Sequence, residues 1–146
     1  MPLLRPLSTL FVLVAVLAAP PAWSQKGSSA AADGNAIVAV IQSQLDAFQG
    51  DRAVEAFGYA SPGIQAMFQT PDRFMQMVRS GYGAVYRPRE VQFLDLIVER
   101  GELAQRVLFV GPDGIAVIAH YYMERQPDGS WRISGVTLHP AEDRTT

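Results

Sequence analysis

The chain lacks cysteine altogether and contains a single lysine, Lys26, among its 146 residues. Without cysteine there is no thiolate nucleophile, no thiolate metal site and no disulfide, so the fold has to rest on its apolar core. Without a lysine beyond Lys26, imine chemistry is excluded from the body of the chain. A basic surplus is missing too. Twelve Lys and Arg face fourteen Asp and Glu, for a net charge of −2 and a pI near 5.6. The arginines are scattered, whereas nucleic-acid binders carry a basic face, so nucleic acid is not an expected partner. Long hydrophobic runs are absent as well: residues 7–19 form a thirteen-residue apolar stretch, short of the ~20 residues that span a bilayer. No phosphate loop, dinucleotide glycine motif or Gly-x-Ser-x-Gly elbow occurs. The two histidines, His120 and His139, have no metal-ligand spacing, so neither a metal nor a cofactor is expected.

What is present begins at the amino terminus. Arg5, the short apolar stretch and the small residues of Ala22-Trp23-Ser24 make the pattern of a cleavable secretory signal over residues 1–24. Cleavage after Ser24 leaves 122 residues with 11 basic and 14 acidic side chains, net −3. The expected product is periplasmic or secreted, with no stable membrane anchor. No cysteine follows the apolar stretch, which excludes a lipid on a processed cysteine. Residues 25–34 have the composition of a flexible linker, residues 35–140 suit one domain, and residues 141–146 are expected as a disordered tail.

Within that domain the first half is helical in period. Ile37, Ile41, Leu45 and Phe48 recur at helical spacing, with Asn35 as the expected cap and Gly50 as the stop. A short helix is expected from Asp51, acting as its cap, to Phe57. Ser61-Pro62 and Thr70-Pro71 repeat one device, a hydroxyl cap followed by proline at the first helical position. Those two helices present Ile64, Met67 and Phe68, then Phe74, Met77 and Val78, and the second ends near Gly81.

Past Arg87-Pro88-Arg89 the period falls to two. Residues 91–99, 103–110, 115–125 and 131–138 are rich in branched and aromatic side chains and are separated by short turn sequences around Gly101, Pro112-Asp113-Gly114 and Pro127-Asp128-Gly129. Connections so short force antiparallel neighbours. The expected fold class is therefore α+β, with N-terminal helices packed on a curved four-stranded antiparallel meander.

The segment Asp128-Gly129-Ser130-Trp131-Arg132-Ile133-Ser134-Gly135-Val136 resembles the turn and last strand common in the nuclear transport factor 2-like superfamily. The ordered set Gln44-Leu45-Asp46-Ala47-Phe48, Ala56-Phe57, Ala60-Ser61-Pro62-Gly63-Ile64-Gln65, Phe74-Met75-Gln76-Met77-Val78 and Val85-Tyr86-Arg87-Pro88 is similar to domain-of-unknown-function family 4864. The likeness runs from about Ile37 to Leu138. It implies the superfamily's cone shape and a Gram-negative periplasmic setting, and it implies no activity.

Cone-fold isomerases and cyclases set an acid or base and an oxyanion donor in an apolar cavity. The corresponding candidates here are Asp95, flanked by Leu94 and Leu96 and expected on the face of Phe93 and Ile97, and His120 with Tyr122 on the third strand. Tyr82, Tyr86, Arg87 and Arg89 sit in a glycine-containing connection between helix and sheet, where paired arginines could clamp a carboxylate or phosphate. Tyr59 and Trp131, with Phe57, Met67, Phe68, Phe74 and Met77, are expected to line or fill the cone. The function these features point to first is a cofactor-free module that binds a small apolar or carboxylate-bearing molecule, or that self-associates as a homodimer. A proton-transfer enzyme and an envelope protein-interaction module are the alternatives.

Overall fold

The computed structural model describes residues 22–141. The expected signal segment up to residue 21 and the tail from residue 142 lie outside the described residues. Five helices come first: α1 (Ala22–Gln49), α2 (Ala53–Gly58), α3 (Pro62–Phe68), α4 (Pro71–Gly81) and α5 (Gly83–Tyr86). Four strands follow: β1 (Glu90–Glu99), β2 (Glu102–Val110), β3 (Ala116–Arg125) and β4 (Trp131–Pro140). They form one open antiparallel sheet in sequence order. The α+β arrangement of helices and meander is thus as the periodicity requires.

The caps and turns follow from local chemistry. The Ser61 hydroxyl accepts from the Ile64 amide at 3.3 Å and the Thr70 hydroxyl from the Arg73 amide at 3.2 Å, each with proline next in line. In the third hairpin Gly129 has φ +87°, and the Asp128 carboxylate accepts from the Ser130 amide at 2.9 Å and from its hydroxyl at 2.6 Å. Between β1 and β2, Arg100 and Gly101 both take positive φ, 54° and 81°. That combination is the two-residue turn whose twist matches a hairpin.

Three local expectations are corrected. First, residues 25–34, read as a flexible linker, are continuous with α1, and Asn35 lies inside that helix rather than capping it. The run Ala30-Ala31-Ala32 has the highest helix propensity available and favours continuing the helix, against a cost of ~1 kcal/mol at Gly34. Second, Asp51 does not cap α2, whose N-cap position is Arg52 with no side-chain bond. Asp51 instead takes the left-handed position, φ +51°, that ends α1. There the Arg52 amide donates to Ala47 O at 2.8 Å and the Asp51 amide to Phe48 O at 3.1 Å, the paired bonds of a Schellman motif.

Third, β1 contains a bulge. Phe93 pairs with Val107 but Leu96 pairs with Gln105, so one extra residue sits in β1 and inverts its alternation. Leu96 rather than Ile97 therefore packs against the core, and Asp95 is not on the face of Phe93. The freed carbonyls of Leu94 and Asp95 accept from the buried Gln105 side chain at 2.8 and 3.3 Å.

The core lies between the helices and one face of the sheet. Ile37, Ile41 and Phe48 of α1, Phe74 and Met75 of α4, Val107 and Phe109 of β2, and Ala119 and Tyr121 of β3 belong to a single buried cluster. The other sheet face has no layer of described residues over it, as antiparallel sheets permit. It carries Arg106, Leu108, Ile118, His120, Tyr122 and Thr137.

Candidate functional site

A cavity of about 310 Å³ opens between the helices and the covered face of the sheet. Gln44 and Phe48 of α1, Ile64, Met67 and Phe68 of α3, and Phe74, Met77 and Val78 of α4 form its helical wall. Tyr82 and Val85 join them, and Tyr121 with Ile133 and Val136 form the sheet wall. Helical period sets which face each helix turns inward, and packing of α1, α3 and α4 then brings Phe48, Phe68 and Phe74 together. Their rings pack at 5.8 Å between Phe68 and Phe74, nearly perpendicular, and at 6.2 Å between Phe48 and Phe74. Strand period places Tyr121, since Ala119, Tyr121 and Met123 all turn toward the helices.

No lining residue is charged, and the polar groups present are nearly all paired. Gln44 donates to Ala56 O at 3.2 Å, and the Tyr82 hydroxyl donates to Val136 O at 3.0 Å. Tyr121 is the exception. It is wholly buried, and its hydroxyl has no hydrogen-bond partner among the described residues. An unpaired buried hydroxyl costs ~1–3 kcal/mol. Burial, and next the nearby Tyr82, push its pKa upward, so this group is a neutral donor throughout the physiological range.

The expected site residues are dispersed. Of the nine, Tyr82 alone lines the cavity. Asp95 is 58% exposed on the uncovered side and bonds Arg106 at 2.7 Å. That guanidinium holds its carboxyl below the usual range. His120 and Tyr122 share the open face: His120 Nδ1 lies 2.8 Å from Glu99 Oε2, and the Tyr122 hydroxyl donates to the same oxygen at 2.9 Å. These two bonds, His120 first, lower the Glu99 pKa. His139 stacks on His120 at 4.2 Å between ring centroids and meets Thr137 at 2.9 Å. Asp95, His120 and Tyr122 thus do not face the apolar cavity that an acid, base or oxyanion donor of the expected kind needs. A strand's strict alternation puts His120 opposite Tyr121, and the β1 bulge turns Asp95 outward.

The expected carboxylate clamp is also corrected. Arg87 donates to Phe48 O at 2.6 Å and to Asp51 at 2.9 Å, so it closes the carbonyl end of α1. Its guanidinium lies over the Tyr86 ring at 4.0 Å. The Tyr86 hydroxyl donates to Asp51, and Arg79 reaches both, at 3.2 Å each. These bonds, Tyr86 foremost, lower the Asp51 pKa and tie α4 and α5 to the end of α1. Arg89 is exposed, and its main-chain amide donates to Val110 O at 2.8 Å. Trp131 is buried under Arg125, whose guanidinium stands 5.4 Å from the ring. Tyr59 packs against the core and accepts from the Ile133 amide through its carbonyl at 2.9 Å.

From the sequence, Tyr121 is named only as a hydroxyl donor beside Tyr122, Asp51 only as a helix cap, and Glu99 not at all. The signal for Tyr121 was available, because a strand of alternating Ala119, Tyr121 and Met123 against His120, Tyr122 and Glu124 separates an apolar face from a polar one. Glu99 and Asp51 carry no such signal, since their partners lie 21 to 36 residues away.

Among the described residues no group of His, Cys, Asp and Glu could hold a metal ion, and no helix is long and apolar enough to cross a membrane. No curated protein and no solved structure matches the chain. A family model does, over residues 30–146, and its description is "Domain of unknown function (DUF4864)". That match spans α1 from Ala30, both walls of the cavity and the whole sheet, so the chain belongs to the DUF4864 family.

Proposed function

We propose that the protein is an exported, cofactor-free module that binds a small apolar molecule in the cavity between its helices and its sheet. One observation carries this reading: the Tyr121 hydroxyl is fully buried and unpaired beside an uncharged apolar cavity of about 310 Å³. Pockets for small molecules are concave and mostly apolar, with a few placed polar groups that fix orientation. Buried polar groups are nearly always paired, with protein or ordered water, so an exception beside a cavity calls for a partner. The helix-then-meander order also suits the nuclear transport factor 2-like cone, in which a cavity between helices and sheet is the natural place for a ligand. Binding is favoured over proton transfer because the cavity walls contain no carboxylate and no histidine, while Asp95 and His120 pair with groups of the open face. Export follows from the signal pattern of residues 1–24, and its check is the amino-terminal sequence of the mature chain, expected to begin at Gln25.

The binding reading is tested by native mass spectrometry of purified protein and a thermal-shift screen of uncharged apolar metabolites. Retained mass on the folded chain, or a melting point that rises with ligand concentration, is the expected result. A protein that carries nothing and gains nothing overturns it.

A further inference from the structure

From the lining of the cavity we infer the chemical class of its ligand: a neutral, largely apolar molecule with one hydrogen-bond acceptor, a ketone or ester carbonyl, that meets the Tyr121 hydroxyl. This rests on the binding reading above and goes on to the part of the ligand that is recognised.

Three observations converge on it. The only buried side-chain polar atom without a partner among the described residues is the Tyr121 hydroxyl oxygen; a phenolic hydroxyl can donate or accept, and a ligand acceptor takes up its otherwise unused proton. The neighbouring polar groups are already directed elsewhere: Tyr82 donates to Val136 O and Gln44 to Ala56 O, so a ligand with several polar groups would leave most of them unpaired. Finally, a carboxylate or phosphate would enter an apolar cavity with no cation to meet it. Arg79 of α4 and Arg87 just past α5 are paired with Asp51 and with Phe48 O, Arg73 of α4 with Gln69, and Arg132 of β4 with Gly58 O, and none of them lines the cavity. Burying an unpaired charge is far costlier than burying an unpaired carbonyl. The aromatic wall of Phe48, Phe68 and Phe74 suits a planar or branched apolar body.

The consequence is a ranking by functional group at fixed size. Benzylacetone, butylbenzene and phenylbutyrate have similar apolar bodies and differ in ending as a ketone, a hydrocarbon or a carboxylate. Purified protein is loaded with the neutral fluorescent dye N-phenyl-1-naphthylamine, and each compound is titrated as a competitor. The ketone is expected to displace the dye at ~10-fold lower concentration than the hydrocarbon, the value of one net hydrogen bond, with the carboxylate weakest. Tyr121→Phe is expected to erase the ketone's advantage and leave the hydrocarbon's displacement unchanged. Equal potency of ketone and hydrocarbon, a carboxylate that competes best, or a ketone preference that survives Tyr121→Phe overturns the assignment of class while leaving cavity binding intact. Failure of the protein to take up the dye or any of the three compounds overturns the binding reading itself. The wild-type ranking stands independently of the variant.

Discussion

Tyr121 and Tyr122 are neighbours on β3 with opposite surroundings. Tyr121 points into the helix-covered side, where it is wholly buried beside an apolar cavity and its hydroxyl is unpaired among the described residues. Tyr122 points to the uncovered side, where its hydroxyl is held by Glu99 together with His120. The same residue type serves two purposes because a strand reverses its side chains at every step. On the covered side, polar groups are few and their satisfaction depends on exact partners. On the open side, water and mobile charged side chains supply partners, so the polar cluster of Glu99, His120, Thr137 and His139 forms at little desolvation cost. The contrast bears on the proposed binding: an apolar cavity beside an unpaired hydroxyl would discriminate among ligands more sharply than an exposed network already paired within itself.

The largest test of this contrast is truncation on each side. Phe48→Ala removes a ring that is 1% exposed and central to the covered face, and it should cost ~3–5 kcal/mol in urea unfolding. Ile118→Ala, half-buried on the open face, should cost well under half as much. Comparable losses would mean that the open face is itself covered in solution by a second copy of the chain, which light scattering would then register as a dimer.

A smaller effect is expected from acid. The folded pKa of Glu99 is lowered from its ordinary 4.5 by His120 and then Tyr122. Those of Asp51 and Asp95 are lowered from 3.8 by Tyr86 and by Arg106 respectively. A depressed carboxyl contributes stability that is complete above the ordinary value and is lost as pH falls through the lower folded value. Melting temperature should therefore hold from neutral pH down to about 4.5 as far as these groups are concerned, and decline below it. Glu99→Gln should melt lower at neutral pH and lose less on acidification. An identical acid slope in the two proteins would show that the open-face cluster is not coupled to folding.

The smallest effect is the most diagnostic. Tyr121→Phe relieves the cost of an unpaired hydroxyl but leaves its space empty, so ligand-free protein should be as stable or up to ~1 kcal/mol more stable, whereas Tyr122→Phe removes a paired hydroxyl and should destabilise by at most ~1 kcal/mol. Chemical unfolding of the two variants side by side gives the signs. Destabilisation by both would mean that Tyr121 has a partner of its own, and the two faces would no longer differ in this respect.

Local rules brought the sequence close to the observed elements. Ser61 and Thr70 cap the helices their following prolines begin, and the Pro-Asp-Gly turns separate strands within one or two residues of the expected limits. Each of these depends on a residue and its immediate neighbours. Apart from residues 25–34, where local helix propensity prevails over a linker-like composition, the misreadings involve competition from farther away. Asp51 is a good helix cap by type, but Tyr86, Arg79 and Arg87 arrive from α4, α5 and the residue beyond, and they fix it in the left-handed turn instead. Asp95 alternates correctly with Phe93 until the bulge, which the buried Gln105 side chain supports from the next strand. The arginines of residues 87–89 have the composition of an anion clamp, yet one of them is taken by the carbonyl end of α1.

By itself the sequence determined the order of helices and strands, the antiparallel meander, the excluded chemistries and the separation of β3 into an apolar and a polar face. Those properties follow from period, turn residues and composition, which act over a few residues at a time. The tertiary structure alone decided that a cavity opens beside the packed core of the apolar face, that the Tyr121 hydroxyl is the buried group left unpaired there among the described residues, and that the histidine and carboxylate candidates belong to the opposite surface. Such outcomes depend on which distant side chains reach a given polar atom first, and no local pattern in the chain encodes that competition.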